Sequence, residues 1–147
     1  ITDSSSIKPN AFKNCSTLEE IVLPYGISSI GSSTFSGCSM LERINIPRTV
    51  TSIGVNTFLD CNKLSFLVIP YSVTSVGANA FPTDVKIEWI YNPSYTASTL
   101  GLVNNLRKVI VKTGVQSVGS NAFSNCSKLK EVEIHKSVSS IVILSTW

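Results

Sequence analysis

Residues 30–52 read Ile30-Gly31-Ser32-Ser33-Thr34-Phe35-Ser36-Gly37-Cys38-Ser39-Met40-Leu41-Glu42-Arg43-Ile44-Asn45-Ile46-Pro47-Arg48-Thr49-Val50-Thr51-Ser52, and the pattern then starts again. Ile53-Gly54-Val55-Asn56-Thr57-Phe58 opens the next copy, and Val76-Gly77-Ala78-Asn79-Ala80-Phe81 opens the one after, 23 residues on each time. A fixed period of this length is the mark of a solenoid, in which each copy is one supersecondary unit stacked on the last.

The repeat lists its own buried slots. An aliphatic slot holds Ile7, Ile30, Ile53, Val76, Val118 and Ile141, and an aromatic slot holds Phe12, Phe35, Phe58, Phe81 and Phe123. Cys15, Cys38, Cys61 and Cys126 follow, then Leu18, Leu41, Leu64 and Leu129. Ile21, Ile44, Leu67 and Val132 come next, and Leu23, Ile46, Ile69 and Ile134 two residues later. Alternation across these last two slots predicts a short strand with both side chains on one face. Pro24, Pro47 and Pro70 end it, since proline has no N–H for a ladder. Stacked copies pair such strands into a parallel sheet. The return path is too rich in Gly and Ser for a long helix and predicts 3₁₀ or irregular turns.

Val76 to Val118 spans 42 residues, or 23 plus 19, so the region between reads as a repeat with a trimmed back. Forward counting from Phe81 places core slots at Ile87, Ile90 and Asn92. Backward counting from Leu106 gives Val103, Leu100 and Tyr95, with four residues missing after Pro93. Strands are therefore expected near 18–23, 41–46, 64–69, 87–92, 106–111 and 129–134. Ile1–Ser6 resembles the end of a preceding repeat, and Ile141–Trp147 is an apolar tail capping the stack or awaiting a partner. The chain reads as one domain over 1–147, cut from a longer protein.

The motif Ile-Gly-x-x-x-Phe-x-x-Cys-x-x-Leu-x-x-Ile-x-Ile-Pro, repeated over roughly Ile7 to Ile141, resembles the BspA-type, or Treponema-type, leucine-rich repeat. The resemblance implies an α/β repeat fold: a right-handed solenoid of about six 23-residue turns, one shortened to 19. It implies one parallel sheet on the concave side and short 3₁₀ or irregular turns on the convex side. It further implies a non-enzymatic surface or secreted protein, with no catalytic residues, that adheres to host matrix or host cells.

Composition narrows the partner. Twelve basic and nine acidic side chains are scattered singly, giving a net charge of +3. With no Lys/Arg run, nucleic acid is a poor partner. No apolar stretch approaches the roughly 18 residues of a membrane helix. The cysteines lie whole turns apart, which predicts a column of buried free thiols rather than disulfides or a zinc site. The single histidine, His135, shares a strand face with Glu131 and Glu133, which reads as a solvated edge rather than a metal site. No cofactor is implied. Asn14-Cys15-Ser16 and Asn125-Cys126-Ser127 match the glycosylation pattern, but both sit where the repeat itself asks for Asn or Gly.

The fold leaves the outward strand positions free. Two after the Leu slot stand Glu20, Arg43, Phe66, Trp89, Lys108 and Glu131; four after it stand Val22, Asn45, Val68, Tyr91, Ile110 and Glu133. On this count Phe66, Val68, Trp89, Tyr91 and Ile110 form an apolar patch flanked by Arg107 and Lys108, the expected contact surface for a protein or peptide. The competing reading has Trp89 and Tyr91 folded over the trimmed repeat, covering Asn92 and Asp84. Two other functions compete: a spacer or self-association unit joined through open solenoid ends, and a carbohydrate or small-ligand binder stacking on Trp89 and Tyr91.

Overall fold

A computed structural model describes residues 5–138 and 140–141. The tail at 142–147 and the first four residues lie outside this range. The strands are β1 (Ser5–Ile7), β2 (Glu20–Ile21), β3 (Ile27–Ile30), β4 (Arg43–Ile44), β5 (Ser52–Ile53), β6 (Phe66–Ile69), β7 (Ser75–Val76), β8 (Lys86–Ile90), β9 (Leu106–Val111), β10 (Ser117–Val118), β11 (Glu131–Ile134) and β12 (Ser140–Ile141). All pairings among the described strands are parallel. The expected strands are β2, β4, β6, β8, β9 and β11. They form a main sheet in two parts, β2-β4 and β6-β8-β9-β11.

A second sheet runs up the other side and goes beyond the expectation of one sheet. Its parts are β1-β3-β5-β7 and β10-β12. The signal for it lies in Ile27–Ile30 and in the Ser-Ile and Ser-Val pairs that open each copy. Between Phe and Leu the chain makes successive i→i−3 turns: Cys38 N–H donates to Phe35 O at 3.0 Å and Leu41 N–H to Cys38 O at 3.0 Å. A left-handed residue precedes each cysteine (Asn14, Gly37, Asp60 and Asn125, φ from 61° to 77°) and keeps these turns from joining into a helix. Asparagine tolerates that conformation. This is why Asn14 and Asn125 stand at the two glycosylation-like triplets.

The core lies between the two sheets. Phe12, Phe35, Phe58 and Phe81 stack with centroids 5.4, 5.5 and 6.3 Å apart, within the range of favourable aromatic pairs. Behind them the backbones of neighbouring turns nearly touch. Gly31, Gly54 and Gly77 each donate N–H to the carbonyl of the aliphatic residue one turn back, at 2.8–2.9 Å. A Cβ on any of the three would come within 2.4–2.5 Å of the previous turn's backbone. Glycine is required there by close approach.

The stack is interrupted twice, on opposite sides. Between β4 and β6 the main sheet lacks pairing while β3-β5 runs through. Just before this gap, the Asn45 side chain accepts from Leu23 N–H (2.7 Å) and donates to Leu23 O (3.0 Å), as a paired backbone would. Between β7 and β10 the second sheet lacks a strand, while the main sheet carries its two longest, β8 and β9.

The close approach at glycine gives a matched test. Gly54→Ala should destabilise by about 3 kcal/mol or more, the upper range of overpacking. Gly119→Ala, whose added Cβ would meet only the Tyr91 hydroxyl at 4.0 Å, should stay within about 0.5 kcal/mol of wild type. Urea midpoints of the two variants, compared at equal slope, check the contrast.

Candidate functional site

The step between main-sheet strands decides which residues face outward. Lys108 pairs with Glu131, a step of 23, the repeat's own period. Val68 pairs with Glu88 and Glu88 with Lys108, steps of 20 each. The shortening is thus shared by both flanks of β8, with a bulge opposite Ile87 and Glu88, rather than confined to the residues after Pro93. Twenty differs from 23 by an odd number, and side chains alternate with a period of two. An odd change of step therefore exchanges the two faces of the strand.

The consequence corrects the sequence reading. Trp89 and Tyr91, expected on the outward face, are 0% and 1% exposed and belong to the core. Val85, Ile87, Trp89 and Tyr91 point inward, and Ile90, expected in a core slot, shares the outward parity with Lys86 and Glu88. Lys86 and Glu88 were the available signal, since charged residues alternating with Val85, Ile87, Trp89 and Tyr91 mark the solvent side. Nor do the two aromatics cover the repeat from outside. They fill it from within: Trp89 and Tyr91 meet Phe123 edge-on at 6.1 and 5.3 Å, and each other at 5.2 Å.

Tyr91 also replaces a backbone group. In full turns a glycine N–H reaches the carbonyl one turn back. Gly119 N–H instead donates to the Tyr91 hydroxyl at 3.3 Å. The polar residues of this turn are held as well. Buried Asn92 donates to Tyr71 O at 3.1 Å and accepts from Ser94 N–H at 3.0 Å. Asn105, which the repeat pattern did not single out, donates to the carbonyls of Pro82, Thr83 and Val85 at 2.9–3.2 Å and pins the turn before β8. Asp84 is exposed.

The outward face of the main sheet retains part of the expected patch. Phe66 is 50% exposed and Val68 37%, on adjacent outward positions of β6. Ile90 and Ile110 pair across β8 and β9 and are half-buried. Lys108 lies between Glu131 and Glu133, 3.1 Å from each carboxylate, and the two carboxylates hold its ammonium above its ordinary pKa. Glu88 pairs with Val68 on one side and Lys108 on the other, so an acid divides β6 from the basic column. Arg107 falls at the bulge and donates to Asn105 O at 3.1 Å. On the β2–β4 part, Arg43 meets Glu20 at 2.9 Å. Tyr25 and Tyr71, each one residue after a proline, are 75% and 51% exposed.

Of the expected column of buried thiols only the middle part is buried. Cys38 and Cys61 are buried, and each thiol donates to the carbonyl of Phe12 or Phe35 at 3.1 Å. Burial raises the pKa of Cys38 and pushes that of Cys61 up to about 12. Cys15 is exposed and Cys126 half-buried. His135 contacts Ser137 at 2.9 Å while Glu131 and Glu133 turn to Lys108. No group of three metal-ligating side chains comes together among the described residues.

A family model described as the BspA type leucine rich repeat region matches residues 2–102 and 102–142, in six copies. No curated protein matches the chain. Among solved structures, it is similar to the leucine-rich repeat protein of T. pallidum at 24% identity and a TM-score of 0.59, covering 92% of this chain and 65% of that one. A leucine-rich repeat protein of Bacteroides ovatus shares 28% identity at a TM-score of 0.52, with 93% and 39% covered. The pneumococcal vaccine antigen PcpA shares 23% at 0.51, with 91% and 43% covered. The chain spans less than two thirds of the length of each.

Two measurements test this arrangement. Trp89→Ala should cost about 3–5 kcal/mol as a large core truncation, and Tyr91→Phe about 0.5–1.5 kcal/mol for one hydrogen bond lost, since Gly119 is exposed and water can take its N–H; thermal melts read both. Thiol titration of the native protein near pH 8 should modify Cys15 readily and Cys126 more slowly, with Cys38 and Cys61 reacting only after denaturation. At a pKa of about 12, the Cys61 thiolate is about one part in ten thousand at that pH.

Proposed function

This chain belongs to the BspA-type leucine-rich repeat family, and from that premise we propose that it is a non-enzymatic protein-binding module of a surface or secreted protein. Its contact surface is the outward face of the main sheet, centred on β6. The observation that carries this reading is the pair Phe66 and Val68. Both are large apolar side chains on a solvent-facing strand, where the repeat itself places no demand. Tyr71 at the end of the same turn and the half-buried Ile90 and Ile110 extend the surface. Lys108, Arg107, Glu88 and the acidic column at Glu131 and Glu133 give it a polar rim, the usual anatomy of a protein interface. The description of the pneumococcal neighbour as a vaccine antigen accords with a surface or secreted setting.

The carbohydrate reading loses its basis, because Trp89 and Tyr91, its two stacking platforms, are core residues. The test follows from the location. Full-length protein and the double variant Phe66→Ala/Val68→Ala are compared for binding to a panel of immobilised extracellular-matrix proteins. Truncating interface anchors costs about 2 kcal/mol each, so the double variant should lose at least about thirtyfold in affinity. Its melting should change little, because neither side chain packs in the core. Equal affinity of the two proteins, or no binding to any member of the panel, would remove this surface.

A further inference from the structure

The trimmed turn leaves an open backbone edge on the side away from the main sheet. In complete turns the strip after the opening aliphatic donates to the next turn: Ser33 N–H to Val55 O, Phe35 N–H to Thr57 O, Asn56 N–H to Ala78 O and Phe58 N–H to Ala80 O, at 2.8–3.0 Å. The aliphatic carbonyl takes the next turn's glycine N–H, as Ile53 O takes that of Gly77. At residues 76–81 the series stops. Among the described residues no following strip accepts from Asn79 N–H or Phe81 N–H, and the next repeat glycine, Gly119, gives its N–H to the Tyr91 hydroxyl instead of to Val76 O. The same stretch lines a cleft of about 530 Å³ together with Ser98, Thr99 and Gly101. That volume is within the range of ligand clefts, roughly 300–1,000 Å³. Its lining includes one cation, Lys128, which makes no ion pair among the described residues, and no acid.

We propose that this edge takes a peptide that supplies the missing strip in the strip's own turn conformation, with a glycine opposite Val76–Ala78 and a carboxylate within reach of Lys128. The unfilled groups define the ligand. Asn79 N–H and Phe81 N–H need carbonyls two residues apart, and Val76 O needs an N–H. A peptide folded as the chain's own strip, with a left-handed residue where Asn56 stands (φ 55°), provides all three in the register that each complete turn already uses. The glycine follows from the same geometry. At each filled junction the incoming residue beside the strip has no room for a Cβ, which would lie within 2.4–2.5 Å of backbone. The carboxylate follows from charge, since Lys128 is the one ionic group on the cleft. This site is separate from the main-sheet surface and stands or falls independently of it.

The probe is a copy of the chain's own strip, N-acetyl-Ile-Gly-Val-Asn-Thr with a free C-terminal carboxylate, matching residues 53–57. Hydrogen exchange of the full chain should show protection of the Asn79 and Phe81 amides rising about tenfold or more at millimolar peptide, as hydrogen-bonded amides require. A peptide with Val in place of Gly should not bind, and the C-terminal amide should bind about threefold more weakly, the scale of an exposed ion pair. Lys128→Ala should abolish that acid-over-amide difference while leaving protection in place. No protection at these two amides, equal binding by the Val peptide, or an acid preference that survives Lys128→Ala would overturn the proposal. So would protection of the same amides without peptide in a protein that sediments as a dimer, which would assign the edge to a second copy of the chain.

Discussion

The approach of one turn's backbone to the next, at a distance only glycine permits, is the constraint on which the structure depends. Gly31, Gly54 and Gly77 let each return strip lie against its predecessor closely enough for N–H to meet carbonyl at 2.8–2.9 Å. That contact fixes the rise per turn. A fixed rise then brings like residues into columns: phenylalanines stack at 5.4–5.5 Å over the first three turns, and thiols meet the carbonyl one turn back. The apolar slots recur because the column recurs. In a repeat protein each unit is stabilised chiefly by its neighbours, so the quality of this one junction is reproduced along the stack.

The two interruptions show how the stack tolerates exceptions. The main sheet lapses where the second sheet is continuous, and the second sheet lapses where the main sheet has its longest strands. Each level therefore keeps at least one paired side. At the trimmed turn, side chains replace backbone. The Tyr91 hydroxyl stands in for a carbonyl, Asn105 ties three carbonyls to one amide, and Trp89 and Tyr91 pack against Phe123 where the phenylalanine stack is broken. Large side chains from the main sheet fill the core of the shortened turn, while its outer edge at residues 76–81 stays open.

Most of the architecture was legible in the residues because it is periodic. Phe35 and Phe58 occupy the same environment, and so do Cys38 and Cys61, so a slot identified once is identified throughout. The trimmed turn was legible only in its existence. Counting slots by 23 from Phe81 carries a parity with it, and a pairing step of 20 into β8 reverses that parity. The count places Trp89 and Tyr91 on the surface and Ile90 in the core for this reason alone. Local alternation carried the correct answer, since Lys86 and Glu88 cannot share a face with Val85 and Ile87 without burying charge. Where a repeat changes length, the alternation inside the strand is the better guide than the count along the chain. The second sheet is faint in the sequence for a different reason: two-residue strands such as Ser52–Ile53 have no alternation to read.

The surface residues follow a separate logic. Phe66 and Val68 are exposed on a strand whose core is complete without them, and their neighbours across the sheet are charged. Folding does not select such residues, because burial of Leu67 and Ile69 on the other face already anchors β6. Trp89 and Tyr91 are the opposite case: larger and more eye-catching as binding residues, yet required where they stand by the geometry of a shortened turn. Aromatic size alone therefore does not separate contact residues from packing residues in a solenoid. The separating question is whether the turn closes without the side chain. It does for Phe66, and it does not for Tyr91, whose hydroxyl holds the amide of Gly119 and whose ring packs against Phe123.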